Sequence, residues 1–244
     1  NEINEDKLKS SATKNKILNQ LSESSSTSDD LKKEKIVSNE CIDIEKVRKL
    51  VKICDENNIY YTINTEKYIL SKKLNYNLMY YYYENSKKSE KRTTNINIVE
   101  DISKYIEEND IGQVAKITIS DESKLIFNGI MKKIAEVKGI NALEVSNMSR
   151  KVIKSGTEIS EINYYYTEIT KDGVNKWNAL KKLAEYLEID TKEIVAIGDN
   201  INDMEMIQNA GMGIVIGNSA LANKNLDKII VSSNDLNGVA EAIE

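Results

Sequence analysis

The stretch "IVAIGDNINDMEMI", from Ile194 to Ile207, runs from an apolar strand pattern into acids and amides and then into a helical pattern. Asp199 and Asp203 lie four residues apart at the carboxyl edge of that strand, where two carboxylates can face one point. In open parallel sheets, ligands sit beyond the carboxyl ends of the strands. A pair of hard oxygen donors there suits magnesium, which takes one or two carboxylates together with waters and substrate phosphate. Taken alone, the same spacing also describes a plain turn through Asp199 and Asn200, with Asp203 set against the positive end of the next helix.

The flanking sequence extends this pattern. "VNKWNALKKLAEYLEI" (174–189) has helical spacing, with Leu180, Leu183, Ala184 and Leu187 expected inward. "EIVAIGD" reads as a buried strand and "NDMEMIQNAG" as a short helix ended by Gly211. "MGIVIG" and "DKIIVS" read as further strands, and "NGVAEAI" as a last helix. Continuous apolar strands separated by short helices indicate a parallel sheet covered on both faces, half of a doubly wound α/β domain. Lys176 stands at the start of the first helix, where its ammonium can neutralise a phosphate or a carboxylate.

Farther out the chain changes character. Residues 1–30 are polar and include "SESSSTSDD", too poor in apolar groups to offset the entropy of ordering, so a loose arm is expected there. From "EKIVS" onward, α and β patterns alternate. A strand at "EKIVS" leads to a helix over "DIEKVRKLVKICDENN", behind a cap at Asp43, and then to a strand at "IYYTIN". A helix is expected over "INIVEDISKYIEEN" and a strand over "VAKITIS". "DESKLIFNGIMKKIAEVKG" reads as a helix capped near Asp121 and ending near Gly139, followed by strands at "NALEVSN" and "INYYYTEIT".

The totals exclude several chemistries. With 244 residues, 34 Lys and Arg against 39 Asp and Glu, and a net charge of -5, the chain has no basic excess with which to coat nucleic acid. It contains no His, which removes Ser-His hydrolases, imidazole zinc sites and histidine general bases. Cys41 and Cys54 form neither a metal clip nor a disulfide framework and are expected to be semi-buried. No run reaches the roughly 20 apolar residues that span a bilayer, so no membrane partner and a cytoplasmic location are expected. Substrate identity and oligomeric state are not legible.

From "EITKDGVNKWNAL" through "IVAIGDNINDMEMIQNAGMGIVIGN" to "NDLNGVAEAI", the sequence resembles, nearly end to end, the C-terminal segment of Cof-type hydrolases. These belong to the haloacid dehalogenase superfamily, in the group with a large α/β cap. The resemblance implies a partial Rossmann-like core over 171–244 and an inserted cap over 31–170. It also implies a magnesium-dependent phosphatase acting on a small phosphorylated metabolite such as a sugar phosphate. By the same resemblance, Lys176 holds the phosphate and the nucleophile, Asp199 binds the metal and Asp203 supports the metal shell. Asn202 contacts the phosphate, and the cap closes over the site and chooses the substrate. Asn218, in "IGNS", is expected to cap a loop, a contact to the site being the alternative. Four tyrosines, Tyr80 to Tyr83, could wall a base or sugar, although a run of four cannot all face one pocket.

One family feature is missing. The superfamily's strand ending in DxDGT, which supplies the attacking aspartate and the proton donor, has no counterpart in these residues, and Trp177 stands where relatives commonly have Gly. A chain lacking the N-terminal half of its core, with little turnover alone, is therefore expected; a non-catalytic magnesium- and phosphate-binding relic or regulator is the alternative. "GDNINDMEMI" is also similar to the hinge motif of P-type pumps, but those require membrane helices and a DKTGT segment, which this sequence lacks.

Overall fold

The computed structural model describes residues 36–88, 93–143, 146–153, 159–219, 221 and 228–244; the expected arm at 1–30 lies outside them. Residues 38–244 form one compact unit built on two sheets. The first has seven strands, β1 (Tyr60–Thr65), β2 (Ile69–Ser71), β3 (Ile96–Ile98), β4 (Val114–Asp121), β5 (Ile140–Ala142), β6 (Ser146–Ile153) and β7 (Ile159–Lys171). Their order is β3-β2-β1-β4-β7-β5, with β6 also paired to β7. Apart from the parallel β2–β3 pair, neighbours run antiparallel.

Helix α1 (Ile44–Glu56) precedes β1, and α2 (Tyr76–Asn85), α3 (Ile102–Glu108) and α4 (Lys124–Ile134) intervene between strands. Val47, Leu50, Val51 and Cys54 of α1 recur at helical spacing. Together with Ile102 and Ile106 of α3 and Phe127, Ile130 and Ile134 of α4, they bury one face of the sheet, meeting Ile63, Ile117, Ile119 and Ile169. Strand alternation then fixes the opposite face. The register pairs Thr62 with Thr118, Asn64 with Lys116, Thr118 with Glu168 and Asn141 with Thr170. One face is therefore apolar and helix-covered, while the other carries Thr, Asn, Lys and Glu.

The second sheet has three parallel strands, in the order β10-β9-β8: β8 (Val195–Gly198), β9 (Met212–Ile216) and β10 (Ile229–Val231). Helices α5 (Lys176–Leu187), α6 (Met204–Asn209) and α7 (Gly238–Ile243) accompany it. This is the parallel α/β arrangement expected from the apolar strand runs.

Several local expectations are corrected. "EKIVS" supplies no strand in its described residues; the chain pairs only through an isolated bridge from Ile42 to Val114. The helix expected over "INIVEDISKYIEEN" starts only at Ile102, because Asp101 caps it by accepting from the Lys104 amide, and Ile96–Ile98 form β3 instead. Ser123, not Asp121, caps α4. Asp43 occupies the cap position of α1 without a capping bond, its carboxylate being paired with Lys46 at 2.6 Å. Leu183 is exposed and Ala184 is the buried residue of α5. Val195, Ile229 and Ile230 are likewise exposed, so β8 and β10 are half-buried edges. Cys54 is fully buried, and burial pushes its thiol up to about 12, whereas Cys41 is half-buried.

One carboxylate ties distant segments together. Glu40, in the lead into α1, accepts from Lys171 at the end of β7 (2.6 Å) and from Lys182 on α5, and Lys182 also reaches the Ser38 hydroxyl at 3.0 Å. The hydrogen bonds from these two lysines, with their charges, lower the Glu40 carboxyl from 4.5 to about 2. A lowered folded-state value stabilises the protein above the unfolded value, and that contribution disappears as pH falls through the folded one. Acid unfolding followed by circular dichroism is therefore expected to steepen between pH 4.5 and about 2, and Glu40→Gln is expected to flatten that interval. Equal slopes in both proteins would refute the clasp.

Candidate active site

The centre of the site is Asp203. The 3-10 turn Ile201–Asp203 leads from β8 into α6 and folds the Asp203 carboxylate back under the strand end. One oxygen accepts from the backbone amides of Asp199 at 3.2 Å and Asn200 at 3.1 Å. The other accepts from the Lys176 ammonium. The Asp203 side chain is only 4% exposed, against 51% for that of Lys176. A buried charge of this kind persists when it is paired and hydrogen-bonded, and Asp203 satisfies both conditions. Gly198 makes the fold-back possible, since a Cβ there would lie 2.5 Å from the Asp203 Cβ.

Lys176 is delivered from the other side. β7 ends at Lys171, and the chain turns through Gly173, whose φ of +77° favours glycine. Asn175 then caps α5 by accepting from the Asn178 amide at 2.7 Å, which sets Lys176 in the first turn. Asp199 and Asn202 are exposed, and Asn202 shares a cleft with Lys176. Asn218 pairs with Asn234, donating to its side-chain oxygen at 2.6 Å and accepting from its backbone amide at 3.3 Å, and so joins two loops.

Of these groups, Lys176, Asn175 and Asn202 border a cleft of about 470 Å³, whereas Asp199, Asp203 and Asn218 are not among its described lining residues. Lys176, Asn202, Ile201 and Glu205 line one side; Asn141, Leu143, Glu168 and Thr170, from the polar face of the seven-stranded sheet, line the other. Sequence reading missed this second wall. Its only available signal was the strand alternation that sets Glu168 and Thr170 opposite Ile169. Tyr82 and Tyr83 are exposed, and no tyrosine is among the described residues that line the cleft.

Among the described residues, no three Asp, Glu or Cys side chains converge as a metal cluster. Asp203 has both oxygens engaged, which leaves Asp199 as the open carboxylate and Asn202 as a neighbouring amide oxygen. One carboxylate, completed by waters and phosphate oxygens, lies within magnesium's usual requirements, so the donor set fits that ion.

Comparison with known proteins agrees with this architecture. The model of the haloacid dehalogenase-like hydrolases matches residues 25–243. The chain belongs to this family. A phosphatase for 5-amino-6-(5-phospho-D-ribitylamino)uracil from Bacillus subtilis is 35% identical over 81 residues, 33% of this chain and 30% of that protein. A chloroplastic endoribonuclease YBEY from Arabidopsis thaliana is 32% identical over 127 residues, 52% of this chain and 20% of that protein. The chain thus spans less than a third of either curated relative. A crystal structure of a haloacid dehalogenase-like hydrolase from Bacteroides thetaiotaomicron superposes with a TM-score of 0.61 at 24% identity, covering 84% of this chain and 67% of that one. The shared fold is that of the haloacid dehalogenase-like hydrolases. No helix among the described residues is long and apolar enough to cross a membrane.

Proposed function

We propose that this site binds the phosphate of a small phosphomonoester with magnesium, as part of a phosphatase whose core lies in residues 171–244 and whose cap lies in residues 31–170. The observation that carries this reading is the Lys176–Asp203 pair, buried on the acid side and half-open on the ammonium side. Asp203 holds Lys176 in place, while the exposed part of the ammonium stays free to meet a phosphate oxygen. Asn202 faces the same cleft and donates its amide hydrogens. Asp199 would hold magnesium, and the ion would neutralise charge on the phosphoryl oxygens. Phosphoryl transfer depends chiefly on positioning and electrostatics, and these residues supply both.

The family's attacking aspartate comes from a DxD segment, and the 244 residues contain none. These residues alone are therefore expected to bind phosphate and magnesium without rapid turnover. Isothermal titration with inorganic phosphate in the presence of magnesium tests the reading. Lys176→Ala is expected to weaken phosphate at least about tenfold, the worth of one charge-assisted hydrogen bond. Asp199→Asn is expected to abolish the magnesium dependence. Phosphate affinity indifferent to both substitutions would reject the site.

A further inference from the structure

Helix α2 is apolar on two sides. Leu78 is buried, and Asn85 fixes the helix end by donating to the Thr94 carbonyl at 2.7 Å and accepting from the Thr94 amide at 2.8 Å. Met79, Tyr82 and Tyr83 follow the i, i+3, i+4 spacing of a single helical face, and that face is open, with exposures of 57%, 67% and 63%. Leu74, just ahead of the helix, is 51% exposed. Scattered apolar side chains at a surface need no explanation, whereas a contiguous stripe marks an interaction surface. None of these four is among the described residues that line the cleft, so phosphate binding at Lys176 leaves the stripe without a role.

The charges around the stripe select what covers it. Between residues 72 and 88, the four lysines Lys72, Lys73, Lys87 and Lys88 stand against one acid, Glu84, a net charge of +3 within a chain of -5. All four are exposed. Lys72 pairs with Asp55 at 2.6 Å and Lys87 with Glu84 at 3.0 Å, whereas Lys73 and Lys88 have no ion-pair partner among the described residues. An unpaired ammonium thus stands beyond each end of the helix. Two occupants fit this arrangement poorly. A two-fold pairing of the stripe with a second copy sets lysine against lysine in either direction. Single-stranded nucleic acid would match the charge, but it binds by stacking bases on open rings; Leu74 and Met79 offer no ring, and the Lys87 ammonium lies 4.3 Å from the centre of the Tyr83 ring.

We propose that the outer face of α2 docks on an anionic lipid bilayer, with Met79, Tyr82 and Tyr83 in the interfacial layer and Lys73 and Lys88 among the headgroups. A bilayer accepts all of these groups at once: aliphatic side chains insert, tyrosine rings settle at headgroup level, and lysine stems lie along apolar surface while their ammonium groups stay in water. Repulsion from the rest of the acidic chain is screened beyond about 8 Å at physiological ionic strength, so the charge beside the stripe decides. Docking of this kind needs no membrane-spanning helix. It is independent of the phosphate site.

Co-sedimentation of the 244-residue protein with vesicles of phosphatidylcholine, and with vesicles of phosphatidylcholine and phosphatidylserine in equal parts, tests the face. The mixed vesicles are expected to bind about twentyfold more tightly, roughly fivefold for each unpaired lysine. Lys73→Gln combined with Lys88→Gln should remove most of that preference. Tyr82→Ser combined with Tyr83→Ser should weaken binding to the mixed vesicles at least about tenfold, through loss of apolar area to bury. All four substituted positions are exposed and leave Leu78 in place, and the wild-type comparison between vesicles needs no variant to fold. No association with the mixed vesicles, equal association with both kinds, or binding that survives the tyrosine substitutions overturns the proposal. So does preference for polyuridylate over the mixed vesicles, or a lipid-free dimer that the tyrosine substitutions abolish.

Discussion

Asp203→Ala is expected to lower the unfolding free energy by about 3 kcal/mol. Two backbone amides, those of Asp199 and Asn200, would lose their acceptor beneath a strand end. Each unsatisfied buried group costs about 1–3 kcal/mol. The orphaned Lys176 adds little, because its side chain is half-exposed and rehydrates. Asp203→Asn provides the contrast. Its amide oxygen can still accept from both backbone groups, so only the lysine bond is lost, for about 1 kcal/mol. Urea denaturation of the three proteins distinguishes these cases, and equal midpoints for the two variants would show that the backbone bonds are not what Asp203 supplies. Because a domain is stable by only about 5–15 kcal/mol, the alanine variant would have used up a large share of its margin.

The other large effect is steric. A Cβ on Gly213, within β9, would lie 1.9 Å from the Ile207 carbonyl oxygen and 2.9 Å from the Ile207 Cγ2. The first obstacle is backbone, so no rotamer change relieves it. Gly213→Ala is expected to destabilise by about 3 kcal/mol, the upper end of ordinary overpacking. Gly129 lies exposed in the middle of α4, with nothing within 4 Å of its added Cβ. Gly129→Ala should therefore stabilise by about 0.5–1 kcal/mol through helix propensity. Opposite shifts in thermal midpoint for the same chemical change would confirm that close approach, not glycine content, sets the difference.

The contrast between these glycines shows what was legible in the sequence. Apolar spacing located α1, β1, β4 and α5, because the 3.6- and 2-residue periods are local properties of the chain. The convergence of Lys176 with Asp203 was readable in part, since both stand at ends of adjacent elements. The tyrosine run hid α2, because four consecutive aromatics carry no helical period. β3 was absorbed into a helix because Ile96 and Ile98 precede an equally apolar helical stretch. The wall opposite Lys176 was legible only as strand alternation, without its partners. Glu168 acquires its partner from Lys116, 52 residues away, and Thr170 acquires its neighbour through a strand register that no single segment specifies. Helix burial was overstated at Leu183, and strand burial at Val195 and Ile230, because periodicity identifies an apolar stripe without saying what covers it.

Glu40 has a consequence for handling the protein. The clasp it forms joins the approach to α1, the end of β7 and α5 through charges open to water, and such interactions fade as dissolved ions shorten the screening distance to about 3 Å at 1 M. Background electrolyte therefore acts as a mechanical setting. The cleft studied in dilute buffer is braced on its flank, and in concentrated brine it loses that brace.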